Sequence, residues 1–184
     1  MMMENKKTDS QWPRFMVFQQ ASQGAPVLHN GTVHAPDLEM ALLNARDVFA
    51  RRPEAVALWV VPAQAIYTQT REELATRQSV DQASREHADY YVFGKFEQQA
   101  QCRQIGEVSA GSPRAAMQAA LTKYADRQPL WWWVFPKAAV LISTPQDREP
   151  MFAPAREKTF KDQAEYPVVT LMRQLRSKQK PDKK

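Results

Sequence analysis

Residues 30–61 read NGTVHAPDLEMALLNARDVFARRPEAVALWVV, and this stretch decides the fold. It holds the end of a strand, an acidic residue suited to cap a helix, an amphipathic helix and a second, apolar strand. Residues 105–135, IGEVSAGSPRAAMQAALTKYADRQPLWWWVF, repeat the pattern. At an offset of 75, Gly31 falls on Gly106, Val33 on Val108, Ala35 on Ala110, Ala41 on Ala116, Ala45 on Ala120 and Arg52 on Arg127. After one deletion the offset is 74, and Trp59, Val60 and Pro62 fall on Trp133, Val134 and Pro136. Agreement over an entire unit makes the chain a tandem duplication.

Working outward, residues 14–20 (RFMVFQQ) carry the aromatic and branched side chains of a strand. Gly24 and Pro26 make a turn, and residues 27–34 return as its partner. Asp37 caps the first helix; its counterpart Ser112 caps the second and is followed by Pro113 at the favoured first helical position. The first helix is expected to bury Leu38, Ala41, Leu42, Ala45, Val48 and Phe49, leaving Arg46, Asp47, Arg51 and Arg52 outside that stripe. Pro53 and Pro129 end the helices, and apolar strands follow at 56–61 and 130–135. Each unit is thus strand, strand, helix, strand. The third strand pairs most easily beside the first, giving the order 2-1-3 with the helix on one face.

The expected fold is α+β: tandem ββαβ units with antiparallel sheets, each covered by one helix. So small a unit is marginal alone, so the two should pack together as a fused pseudo-dimer. The expected divisions are a first unit at 12–70, a polar linker at 71–88, a diverged second unit at 89–144, a C-terminal extension at 145–175 and a basic tail at 176–184. Residues 1–11 are expected to be unstructured. The polar stretch from 70 to 89 reads as a short exposed helix or an ordered wrap, the proline-rich residues 144–154 as extended, and residues 166–175 as a short strand or helix.

The 184 residues are 43% hydrophobic and 24% charged, a globular composition. Part of the net charge of +5 sits in the terminal RQLRSKQKPDKK, while Lys and Arg elsewhere alternate with Asp and Glu. The reading is a solvated tail and no nucleic-acid partner. A single cysteine, Cys102, forbids an intrachain disulfide and suits a reducing compartment; it is expected to be a half-buried strand residue. The N-terminus lacks an apolar signal core, and no apolar run approaches the roughly 20 residues that cross a bilayer. A cytoplasmic protein without a membrane partner is expected.

No reactive constellation stands out. His29, His34 and His87 form no metal-ligand pattern, there are no cysteine pairs, and the glycines make neither a phosphate loop nor a dinucleotide fingerprint. His34 could act as a base, but the second unit has Ser109 there, which favours local hydrogen bonding. The chain reads as non-catalytic, without cofactor or metal. In the run Trp131-Trp132-Trp133 alternate residues face opposite ways. Trp133 matches Trp59 and belongs to a common core. Trp131 and Trp132 match Ala57 and Leu58, and suit either an interface or a core between the units.

The first unit resembles the PaaB family, the B component of the multicomponent phenylacetyl-CoA epoxidase of phenylacetic acid degradation. The matching residues are Trp12-Pro13, Gly31 to Ala35, the helix from Met40 to Arg52 with its Asn-Ala-Arg-Asp segment, and Leu58 to Val61. Phe152 to Phe160 is similar to the family's C-terminal Phe-x-Pro-Ala segment. Family members usually carry one unit; here a diverged second unit precedes that segment. The resemblance implies a non-catalytic structural subunit that bridges the di-iron catalytic and structural subunits of an oxygenase, with possible further self-association. The alternative class is a stand-alone protein-binding or regulatory module of aromatic degradation. The partner interface is expected at Arg46, Asp47, Arg51, Arg52, Trp131, Trp132, Phe152, Pro154 and Phe160.

Overall fold

The computed structural model describes residues 12–50, 55–76, 87–156 and 168–178. The first repeat supplies β1 (Arg14–Gln20), β2 (Val27–His34), α1 (Leu38–Phe49), β3 (Ala57–Pro62), β4 (Tyr67–Thr70) and α2 (Arg71–Thr76). The second supplies β5 (Ala88–Lys95), β6 (Arg103–Ala110), α3 (Pro113–Lys123), β7 (Trp131–Pro136), β8 (Leu141–Ile142) and α4 (Arg148–Arg156). A last helix, α5 (Val168–Lys178), follows. The polar linker therefore begins as helix at α2; its residues 77–86, like residues 1–11, lie outside the described residues.

Both helix starts follow from their caps. The Asp37 carboxylate accepts a hydrogen bond from the Met40 amide at 2.8 Å, and the Ser112 hydroxyl accepts one from the Ala115 amide at 3.1 Å. The strands form one antiparallel eight-stranded sheet, ordered β4-β7-β5-β6-β2-β1-β3-β8. Each repeat contributes the expected 2-1-3 order, as β2-β1-β3 and β6-β5-β7. Where separate sheets were expected, the two halves are joined through a single register pair, Leu28 with Arg103.

The strand alternation explains the continuous apolar runs. On β1 and β3, Phe15, Val17, Leu58 and Val60 pack beneath α1, while Phe18, Trp59 and Val61 point the other way. On β5 and β7, Tyr90, Val92, Trp132 and Val134 pack beneath α3, while Phe93 and Phe135 turn inward. The inward side chains of both halves make a third core. Within it Phe18 and its repeat counterpart Phe93 lie 4.7 Å apart between ring centroids, and Phe93 stacks on Phe135 at 5.3 Å. The half-sheets thus face each other across an aromatic core, with a helix outside each. Strands buried on both faces read as unbroken apolar sequence rather than as alternation.

The repeats also exchange their ends. β4, from the first repeat, pairs with β7 of the second: Tyr67 with Val134 and Thr68 with Trp133. β8, from the second, pairs with β3 of the first: Leu141 with Val60 and Ile142 with Trp59. These registers are equivalent at the offset of 74. The helices that follow are exchanged too, since Leu74 of α2 packs on the core under α3 and Phe152 of α4 on the core under α1.

Three further expectations are corrected. Residues 148–156 are helical rather than extended, because Thr144 and Asp147 cap α4 reciprocally: the Thr144 amide and hydroxyl donate to the Asp147 carboxylate at 2.8 and 2.6 Å. Pro150 falls in the first turn, where its missing N–H is not needed. Val48 is exposed rather than part of the buried stripe, and Cys102 is fully buried rather than half-buried.

Candidate functional site

The helix α1 stands on its half-sheet on Ala41, Leu42 and Ala45, with Leu38 and Phe49 partly buried. That packing fixes which side chains point outward: Met40, Leu43, Asp47 and Val48 are all exposed. Arg46 lies at the edge, where its guanidinium pairs with Asp47 at 2.7 Å and its Nε donates to the Met151 carbonyl at 3.2 Å. Arg46 therefore ties α4 to α1. Phe152, on the same turn of α4, is buried in the core beneath α1.

The internal repeat separates folding from surface chemistry. α3 is capped at the equivalent position by Ser112, rests on the equivalent strands and buries the counterpart alanines, Ala116 and Ala120. On its outer face, however, Met40, Leu43, Asp47 and Val48 become Ala115, Gln118, Thr122 and Lys123. The apolar outer face of α1 is not a requirement of this fold. A second apolar stripe lies on α5, where Val168, Leu171, Met172 and Leu175 are exposed at the i, i+3, i+4, i+7 spacing of one helix face.

The expected interface residues are not one cluster. Arg46 and Asp47 lie together on α1, with Phe152 below them. Arg51, Arg52 and Phe160 lie outside the described residues, and Pro154 falls in the last turn of α4. Trp132 is 3% exposed and belongs to the core under α3. Trp131, 40% exposed, stands on the other half of the molecule, where the Lys95 ammonium lies 5.0 Å from its ring centroid. Sequence reasoning missed Met40 and Leu43, whose side chains read as ordinary helix formers. Comparing the two copies position by position would have found them.

The remaining reactive groups are held by the fold. His29 packs between Phe18 and Trp133, at 5.3 and 5.0 Å, and burial lowers its pKa. His34 Nδ1 lies 2.8 Å from the Trp12 carbonyl, the local hydrogen bond expected of it. Burial pushes the Cys102 thiol up to about 12, so it stays protonated at neutral pH. Among the described residues no group of three or more His, Cys, Asp or Glu could hold a metal ion, and no helix is long and apolar enough to cross a membrane.

A family model described as phenylacetic acid degradation B matches the chain twice, over residues 11–91 and 86–173. The chain belongs to that family. The two matches follow the two repeats, so this member of the phenylacetic acid degradation B family carries the family's unit in duplicate. Over 62 residues the chain is 45% identical to the B component of the 1,2-phenylacetyl-CoA epoxidase of Escherichia coli (strain K12). The alignment covers 34% of this chain and 65% of that protein, just under two thirds of the relative's length. No solved structure matches the chain.

Proposed function

We propose that this chain is a non-catalytic bridging subunit of an oxygenase of the phenylacetyl-CoA epoxidase type, acting in the cytoplasm in phenylacetate catabolism. Iron, oxygen and CoA ester are handled by other subunits. The family and the relative's name support the pathway. Supporting the non-catalytic role, the candidate reactive side chains are spent on the fold: His29 in the aromatic core, His34 on a backbone carbonyl and Cys102 as a buried thiol.

The observation that carries the bridging role is the outer face of α1. Large apolar side chains exposed together mark contact surfaces, and the fold of α3 does without them. A bridge also needs a second contact, and the stripe on α5 supplies one. The occupants are the di-iron catalytic and structural subunits of the oxygenase. Asp47 and the remaining donors of Arg46 form the polar rim of the α1 surface.

The test uses substitutions that the second repeat already tolerates: Met40→Ala, Leu43→Gln and Val48→Lys in one chain. Thermal unfolding should stay close to wild type, while recovery of the oxygenase subunits in co-purification should fall tenfold or more. Undiminished recovery with an intact fold would exclude the α1 face. If the wild-type chain retains neither oxygenase subunit, the bridging role itself is wrong.

A further inference from the structure

A cavity of about 650 Å³ opens where the first repeat crosses onto the second half-sheet. Its walls include Thr70, Arg71 and Glu72 from the end of β4 and the start of α2, Lys95 from the end of β5, and Leu130 and Trp131 from the entry to β7. One side is an exposed indole; two of the others carry cations. The Arg71 guanidinium donates to the Gln128 carbonyl, which fixes its stem and leaves further N–H donors of the fork available.

The pseudo-symmetric position in the first half-sheet has none of this chemistry. At the repeat offsets Lys95 corresponds to Gln20, Leu130 to Val56, Trp131 to Ala57 and Arg71 to Pro145. The strand pairing around both positions is equivalent, so the backbone does not require a tryptophan or two cations. They were acquired, or kept, on one side only.

The geometry points to a binding site for a planar aromatic ring that carries a phosphate group, of the size of a nucleoside monophosphate. The ring takes the place of the Lys95 ammonium over the indole, a weak contact at an exposed site. The displaced ammonium and Arg71 then share the phosphate, whose double negative charge matches two cations where a carboxylate would match one. The volume suits such a ligand and is generous for a simple aryl acid. The site lies on the opposite half from the α1 surface and does not depend on the bridging role.

The test is titration of the full-length chain with AMP, adenosine, inorganic phosphate and benzoate, read by tryptophan fluorescence and calorimetry. The control is Lys95→Gln with Trp131→Ala, which restores the first repeat's side chains and so should fold. AMP should bind with one site per chain and at least tenfold more tightly than the other three probes. The double variant should lose that binding tenfold or more, with its melting temperature nearly unchanged. The inference is overturned if AMP does not bind, if the double variant binds it as wild type does, or if phosphate, adenosine or benzoate matches it.

Discussion

At the scale of single residues, the glycines retained by both repeats have a structural cause. Gly31 has φ 154°, and the Phe49 ring comes within 2.9 Å of where a Cβ would stand. Gly106 is in the same position against Tyr124, the repeat counterpart of Phe49, whose hydroxyl also accepts from the Glu107 amide at 3.0 Å. The glycine makes room for an aromatic side chain returning from the helix end. Gly106→Ala should therefore destabilise by about 1–3 kcal/mol, the usual range of overpacking. In a Tyr124→Leu background the added cost should drop below about 1 kcal/mol, which a double-mutant cycle in urea measures. Equal costs in both backgrounds would remove Tyr124 as the cause. His29 permits a second prediction. Burial, the largest influence, holds its native pKa below the ordinary value, so the unfolded chain binds the proton more readily. This share of stability is complete above the unfolded pKa of about 6.5 and declines as pH falls below it. His29→Gln, the residue found at Gln104, should narrow the difference in urea midpoint between pH 7.5 and pH 5.5. An unchanged difference would clear His29 of any part in it.

At the scale of elements, local chemistry was legible wherever it was self-sufficient. Asp37 and Ser112 announced their helices, and the strands at 14–20 and 27–34 fall where branched and aromatic residues put them. What escaped was set by distant partners. β8 is two residues long, and only its pairing with β3 distinguishes it from loop. The helix α4 contains two prolines, which outweighed the cap formed by Thr144 and Asp147 in a reading by composition. That cap has a counterpart at Thr70 and Glu73, where the Thr70 amide donates to the Glu73 carboxylate at 2.9 Å, so carrying the offset of 74 further would have revealed both helices. Val48 was misplaced because its apolar side chain fits a stripe whose real edge is set by the sheet below. Since α4 is held by Phe152 in the core under α1, Phe152→Ala should cost about 3–5 kcal/mol. The loss should appear first as faster amide exchange in α4, ahead of global unfolding. Exchange rising evenly through both half-sheets would argue against a local anchor.

At the scale of the whole molecule, the exchange of β4–α2 for β8–α4 sets what each repeat needs. The first half-sheet is completed by β8, and the core under α1 by Phe152, both from the second repeat. A lone first repeat lacks them but carries β4, the equivalent of β8 in register, and Leu74 of α2, which packs on the core under α3 as Phe152 packs on the core under α1. Two copies of residues 12–76 can therefore satisfy each other, with β4 of each pairing with β3 of the other in a two-fold arrangement. The central core favours the same outcome, because Phe18 would face a second Phe18 where it now faces Phe93. A monomer of this length would leave Phe18, Trp59 and Val61 open to water, an apolar face too large for a stable small unit. Residues 12–76 expressed alone should thus form a dimer by light scattering, with a melting temperature that rises with concentration. The full-length chain should melt in one transition independent of concentration if it stays monomeric under the same conditions. A fragment that remains monomeric and still unfolds cooperatively would mean that the exchanged segments contribute little to the core, and that fusing the repeats was not what made the fold stable.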